Sequence, residues 1–293
     1  MDRKTFIACL IAGCLALPSC APKPRQIVVG SKNFTEQLIL GEIAAQHIEN
    51  RLHQKVDRKL NLGGTLLAHQ ALLGKQIDLY PEYTGTALTN VLKLQGITDP
   101  NIVMDRVRTE YRSQMALEWL DPLGFSNTFA LVVSGEDARA RHLETLTDAA
   151  NDPAGFTLGA GYEFLTRPDG FGTLNAGYPI HWVGAPKSMD LGLLYTALQQ
   201  KKVNMVAASS TDGMLSVLDV KVLKDDKQSF PPYQACYVVR ADTLAAFPEL
   251  KKALGELSGK LTDDAIRKLN YEVDGKHRPV PEVAKDWLRG AGL

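Results

Sequence analysis

The sequence predicts an α/β protein of two lobes, each built on a parallel-rich sheet, joined by two crossover segments. Three observations carry that expectation. Short apolar strand signals alternate with helical patterns along most of the chain, the pattern that yields sheets flanked by helices. The alternation stops at Pro122-Leu123-Gly124-Phe125-Ser126-Asn127-Thr128-Phe129 and then restarts. It is interrupted again by Ser229-Phe230-Pro231-Pro232-Tyr233, after which one more apolar strand returns. The predicted division is therefore residues 27–127 plus 231–293 for the first lobe and 128–230 for the second. The hinges fall near Asn127 to Phe129 and near Phe230 to Tyr233.

The N-terminus reads as a targeting segment. Arg3 and Lys4 precede an apolar run from Thr5 to Leu17, too short to span a bilayer comfortably. Residues 1–19 are thus expected to be a signal peptide. Leu17-Pro18-Ser19-Cys20 has the form of a bacterial lipobox, with Cys20 as the lipidated first residue of the mature protein. Pro18 is unusual there, Ile11-Ala12-Gly13-Cys14 competes for the role, and a plain signal peptide is the alternative. Residues 20–26, with two prolines, form a tether. Cys236 is the only thiol outside the export segment, so no disulfide is expected. It lies in an apolar strand as a small buried hydrophobe.

Ile27 to Gly30 is the first strand. Asn33 then offers an N-cap with Glu36 three residues on, a capping-box-like start. Leu38, Ile39, Ile43, Ala44, Ile48 and Leu52 recur at helical spacing. Val56, Arg58, Leu60 and Leu62 alternate as a strand, and Gly63-Gly64-Thr65 turns it into a helix through Leu66, Leu67 and Ala71. The free N–H groups of that turn suit an anion, or the glycines serve tight turning only. Ile77 and Leu79 mark a third strand, expected to break at Tyr80-Pro81 because proline cannot donate to a ladder. A polar turn, Glu82-Tyr83-Thr84-Gly85-Thr86, follows. Helices are expected over Ala87 to Leu94 and Pro100 to Leu117, then strands at Trp119 to Asp121 and Ala130 to Val133. Further strands are expected at Phe156 to Ala160, His181 to Val183, Val203 to Ala208 and Val220 to Leu223. Helices are expected at Pro168 to Ala176, Met189 to Gln200 and Met214 to Leu218. After the strand around Val238, helices run over Leu244 to Leu257, Asp263 to Glu272 and Pro281 to Gly290.

Composition narrows the function. The 293 residues carry 33 basic and 33 acidic side chains, so nothing favours nucleic acid as a partner. There is no Gly-x-Ser-x-Gly elbow, no HExxH and no Walker loop, and Gly159-Ala160-Gly161 lacks the third glycine of a dinucleotide fingerprint. The six histidines show no metal-ligand spacing. His47 and His53, near one helix end, are expected on the solvated surface. No enzyme activity, cofactor or metal is expected. What remains is a binding cleft: polar, aromatic turns at the C-terminal edge of strands, where open α/β sheets bind ligands.

The phrases Gly30-Ser31-Lys32-Asn33-Phe34-Thr35-Glu36-Gln37, Leu62-Gly63-Gly64-Thr65 and Ile77-Asp78-Leu79-Tyr80-Pro81-Glu82-Tyr83-Thr84-Gly85-Thr86 resemble, in order and spacing, the substrate-binding proteins of glycine betaine/choline/carnitine ABC importers. The resemblance runs from about Ile27 to the C-terminus. It implies a bilobal type II periplasmic-binding fold and an extracytoplasmic lipoprotein, anchored to the membrane through Cys20 and expected as a monomer. Such a protein delivers a small zwitterion to a permease driven by an ATPase. It also implies that Lys32, Thr86 and Arg167 clamp the ligand's carboxylate by charge-assisted hydrogen bonds. The bland alternative for Arg167 is an ion pair with Asp169 or Glu163. Tyr83, Phe129 and Tyr233 would face a quaternary ammonium by cation–π attraction, with Ser209 beside them. Two departures from the family pattern stand out. Phe129 replaces a tyrosine, and Ala207-Ala208-Ser209-Ser210 stands where another tyrosine is common, so one cage wall is depleted. Tyr162, Phe164 and Trp182 are uncommitted aromatics. Glycine betaine is the first ligand this implies, with carnitine, ergothioneine, another carboxylate, or a sensing role as alternatives.

Overall fold

A computed structural model describes residues 25–293; the signal segment and Cys20 lie outside them. Among the described residues, ten strands form two five-stranded sheets. In chain order they are β1 (Ile27–Gly30), β2 (Val56–Lys59), β3 (Leu79–Tyr83), β4 (Leu117–Trp119), β5 (Phe129–Ser134), β6 (Leu158–Ala160), β7 (Lys187–Ser188), β8 (Met205–Ser209), β9 (Val220–Leu223) and β10 (Ala235–Arg240). The first sheet is ordered β2-β1-β3-β10-β4 and the second β7-β6-β8-β5-β9. In each, three neighbouring strands run parallel, and the strand that has crossed between lobes, β10 or β5, pairs antiparallel to them. The two lobes meet at the ends of these strands.

The helix α1 (Thr35–Leu52) buries Ile39, Leu40, Ile43, Ala44 and Ile48, as its periodicity predicts. It packs against Glu249–Gly255 and Val280–Gly290, so the last helices return to the first sheet. Its start differs from expectation. Phe34, not Asn33, occupies the N-cap without a side-chain bond, because the Asn33 N–H is taken by the carbonyl of Gly63. Glu36 is drawn inward instead of capping.

Other differences have local causes. Pro81 sits inside β3 rather than ending it. Its partner Tyr237 offers its carbonyl to Leu120 on the far side, so this position of the ladder does not use the missing N–H, and β1 has already ended beyond Leu79. His181 to Val183 contributes only the isolated bridge between Phe156 and Trp182; β7 is the edge strand beside β6. Pro248 splits the expected 244–257 helix into Ala241–Ala246 and Glu249–Gly255, as an interior proline does. The 87–94 segment widens to a π-helix over Ala87–Val91, with the Leu92 N–H donated five residues back to the Ala87 carbonyl. His47 is fully buried, with Nε2 2.9 Å from the carbonyl oxygen of Ala253. Burial lowers its pKa, with Glu256 acting the other way. Cys236 is fully buried in β10.

Candidate functional site

A cavity of about 550 Å³ opens between the two sheets. Its first wall is made by the turns that leave β1, β2 and β3, the second by the turns that leave β6, β7 and β8 and by the start of β5. These are the strand ends where backbone N–H groups and short polar side chains are free to face a ligand. All seven expected ligand residues line it: Lys32, Tyr83, Thr86, Phe129, Arg167, Ser209 and Tyr233.

Two buried cations dominate its electrostatics. Lys32 follows β1 and is 2 % exposed, with Nζ 2.5 Å from Glu82 Oε1. Burial pulls its pKa below the usual lysine value, and Glu82 acts in the opposite direction. Arg167 donates from Nε and Nη2 to both oxygens of Asp169, at 2.9 and 2.5 Å, and from Nη2 to Thr86 Oγ1 at 3.0 Å. Burial works against its charge, but Asp169 outweighs it and holds the guanidinium above its ordinary pKa. The alternative ion pair for Arg167 therefore exists alongside its place in the cavity wall. Nη1 forms no hydrogen bond among the described residues, with Glu163 3.9 Å away. Lys32 likewise keeps donors beyond the one aimed at Glu82. Each cation thus carries its own counterion and still has N–H groups to offer.

The aromatic faces are fixed from behind. Tyr83 donates its hydroxyl to Glu36 Oε1 at 2.6 Å, and Tyr233 donates to Asp169 Oδ2 at 2.7 Å. Phe129 has no hydroxyl, and edge contacts hold it instead: Phe164, Phe230 and Tyr233 lie with ring centroids 4.9, 5.7 and 5.9 Å away. Lys32 Nζ is 5.0 Å from the centre of the Tyr83 ring, and the Arg167 guanidinium 5.0 Å from that of Phe129. Cation and ring therefore already alternate around the cavity. Where a further tyrosine is absent, Ala207, Ala208 and Ser209 form the wall. Of the uncommitted aromatics, Phe164 and Tyr162 line the cavity, Tyr162 largely exposed at its lip. Trp182 lies away from it, against Phe171, with its indole N–H donated to Asn175.

Several residues of the site went unnoticed in the sequence. Glu36 accepts four hydrogen bonds. Tyr83 and Asn127 Nδ2 reach Oε1 at 2.6 and 2.8 Å; Thr211 Oγ1 and Asn270 Nδ2 reach Oε2 at 2.5 and 3.1 Å. These partners come from β3, the segment between β4 and β5, the turn after β8 and a C-terminal helix, so one carboxylate ties the Tyr83 ring to segments leading into both sheets. Burial raises its pKa, and the four hydrogen bonds oppose that rise. Beside it, Asp212 accepts from Ser209 N and Tyr195 Oη, and burial pushes it up to about 7. Glu36 looked like a helix-capping residue because its spacing from Asn33 fits a capping box. Asp169 is the ion-pair partner the sequence offers for Arg167, while Glu82 carries no signal beyond adjacency to Tyr83. Gly64 and Thr65 line the cavity from the Gly63-Gly64-Thr65 turn that the sequence marks.

Residues 25–290 match the family described as the substrate-binding domain of ABC-type glycine betaine transport systems. An ergothioneine transport permease/ergothioneine binding protein of Helicobacter pylori is 37 % identical over 98 % of this chain, which spans 52 % of that protein's length. A carnitine transport binding protein of Listeria monocytogenes is 32 % identical, with 98 % of this chain and 97 % of that one aligned. A glycine-betaine-binding protein of Pseudomonas aeruginosa is 35 % identical, covering 99 % and 95 %. Among solved structures, a glycine betaine/carnitine/choline ABC transporter protein superposes with a TM-score of 0.78 at 33 % identity, over 91 % of this chain and 99 % of its own.

Proposed function

Because the chain belongs to the family of substrate-binding domains of ABC-type glycine betaine transport systems, we propose that it closes its lobes over a small zwitterion carrying a quaternary ammonium and a carboxylate. The convergence of two buried cations with three aromatic faces in one inter-lobe cavity carries this reading. Lys32 and Arg167 Nη1 donate to the ligand's carboxylate, with Thr86 as the hydroxyl between them. Tyr83, Phe129 and Tyr233 turn ring faces to its ammonium, a contact of about 0.5–2 kcal/mol per face; Ser209 borders the same space.

The charge balance supports a zwitterion over a simple anion. Glu82 and Asp169 neutralise the two clamp cations from behind, so a ligand with net charge would leave one charge unmatched in a desolvated site. The clamp draws on both lobes, Lys32 and Thr86 from the first and Arg167 from the second. Ligand binding then favours the closed state, which is how a transporter distinguishes loaded from empty protein.

In this reading the mature protein is a monomeric, extracytoplasmic lipoprotein held to the membrane through Cys20. It hands its ligand to a permease and the ATPase that drives it. Glycine betaine is the reference ligand. The missing wall at Ala207 to Ser209 favours a bulkier member of the class, such as carnitine or ergothioneine. Titration calorimetry with glycine betaine and choline tests the clamp, because choline keeps the ammonium but lacks the carboxylate. Choline is expected to bind at least about tenfold more weakly, from the loss of charge-assisted hydrogen bonds. Equal binding removes Lys32 and Arg167 from the ligand.

A further inference from the structure

Four charged side chains line the cavity: the clamp cations Lys32 and Arg167, and the acids Glu163 and Asp190. Glu82 and Asp169 already match the two cations from behind, so neither acid has a cation to itself in this wall. Asp190 is exposed and takes the Gly192 N–H on Oδ1. Glu163 is placed differently, at the clamp itself and between the lobes.

Glu163 sits in the short helix Tyr162–Thr166 that follows β6. It precedes Arg167 by four residues, and Oε2 lies 3.9 Å from Arg167 Nη1, too far for a hydrogen bond. That nitrogen is the one offered to the ligand's carboxylate. The other oxygen, Oε1, reaches across the cleft to the first lobe. A Cβ at position 64 would lie 2.1 Å from it, so the carboxylate occupies the room that Gly64 leaves. Burial works against the charge of both clamp cations, and Glu163 is among the acids that oppose this.

Two cations, Lys32 and Arg167, thus face three acids, Glu82, Asp169 and Glu163, and the clamp carries one excess negative charge before a ligand arrives. A ligand carboxylate bonded to Nη1 comes within about 7 Å of Glu163 Oε2, the 3.9 Å gap plus one hydrogen bond. We propose that Glu163 is a specificity-determining residue of the clamp, which disfavours a ligand that brings a carboxylate without a cation of its own. A betaine offsets the repulsion with its ammonium, and a simple carboxylate does not. This role presupposes the betaine reading above and deepens it, because the rejection of bare anions then rests on a side chain outside the aromatic cage.

Calorimetric titration of the wild-type protein and Glu163→Gln with an anion, a zwitterion and a cation of similar size tests this: tert-butylacetate, glycine betaine and choline. Glutamine keeps the size of the side chain and removes its charge. Glu163→Gln should bind tert-butylacetate about fivefold more tightly than wild type, glycine betaine about twofold more tightly and choline about two- to threefold more weakly, as fits a half-exposed charge partly screened by water. The preference for glycine betaine over tert-butylacetate then shrinks but persists, and the remainder belongs to the rings. Added salt should narrow the differences between the two proteins, and their melting temperatures should agree within about 2 °C. An equal change for all three ligands, as a loosened Arg167 would give, overturns the charge role and leaves the clamp standing. So does the absence of any gain for tert-butylacetate, undetectable binding to the variant included. Wild-type protein that does not bind glycine betaine overturns the betaine reading itself, and this role with it.

Discussion

Arg167→Ala removes three things at once: the counterion of Asp169, a bond to Thr86 and the free Nη1 donors. Asp169 is 2 % exposed and would keep the Tyr233 hydroxyl as a neutral donor but no cation beside it. Breaking a buried pair from one side costs about 3–5 kcal/mol. Against a typical total of about 5–15 kcal/mol the chain stays mostly folded, with a melting temperature lower by roughly 10 °C at about 2–4 °C per kcal/mol. Two lost charge-assisted hydrogen bonds to a ligand carboxylate, at about 1.5–3 kcal/mol each, weaken binding by roughly a hundredfold to ten-thousandfold. The double variant Arg167→Ala/Asp169→Asn separates the two effects, because it deletes the stranded charge as well. Thermal denaturation should show the double variant more stable than the single one, while calorimetry shows both equally unable to bind glycine betaine. A double variant that binds within threefold of wild type would refute the clamp. A single variant as stable as wild type would refute the account of Asp169.

Two further variants probe the buried acids. Glu36→Gln leaves an amide with a single oxygen facing the four donors of Tyr83, Asn127, Thr211 and Asn270, so at least one of them must turn or lose its partner. It should lower stability by about 1–3 kcal/mol and loosen Tyr83; an unchanged melting temperature would show that the four-bond hub does not bear on stability. Asp212 has the pH dependence of an acid whose folded pKa is raised, from 3.8 to about 7. Below about pH 4 both states hold the proton. As pH rises to 7 the unfolded chain releases it first, so stability falls across that interval, by roughly 4 kcal/mol at most. Asp212→Asn keeps the acceptor for Ser209 N and Tyr195 Oη and should flatten the fall in melting temperature between pH 4 and 7; parallel wild-type and variant curves would contradict this.

The sequence made the two-sheet architecture legible because strand and helix periods are local, and α1 buries the residues its spacing predicts. It was less legible where a tertiary partner decides the outcome. Pro81 reads as a strand breaker, but the register of β10 makes its missing N–H harmless. His47 reads as surface, yet Ala253, 206 residues away, supplies its acceptor. Lys32, Tyr83 and Thr86 were legible because they sit in long motifs at strand ends; Phe129, Arg167, Ser209 and Tyr233 came only from the family resemblance. Asp169 was legible as a partner for Arg167, two residues away; Glu36 and Glu82 were not, because their roles lie in what they hold. Glu36 gathers partners up to 234 residues distant, and no spacing rule reaches that far.

In the proposed function, the ring faces of Tyr83, Phe129 and Tyr233 recognise positive charge rather than bulk. Calorimetric titration with glycine betaine and with tert-butylacetate, which has the same shape and carboxylate but carbon in place of the charged nitrogen, tests it most directly. At about 0.5–2 kcal/mol per cation–π face, glycine betaine is predicted to bind about tenfold or more tightly than tert-butylacetate. Equal affinities would mean that the rings serve as apolar walls and that no ammonium is recognised there.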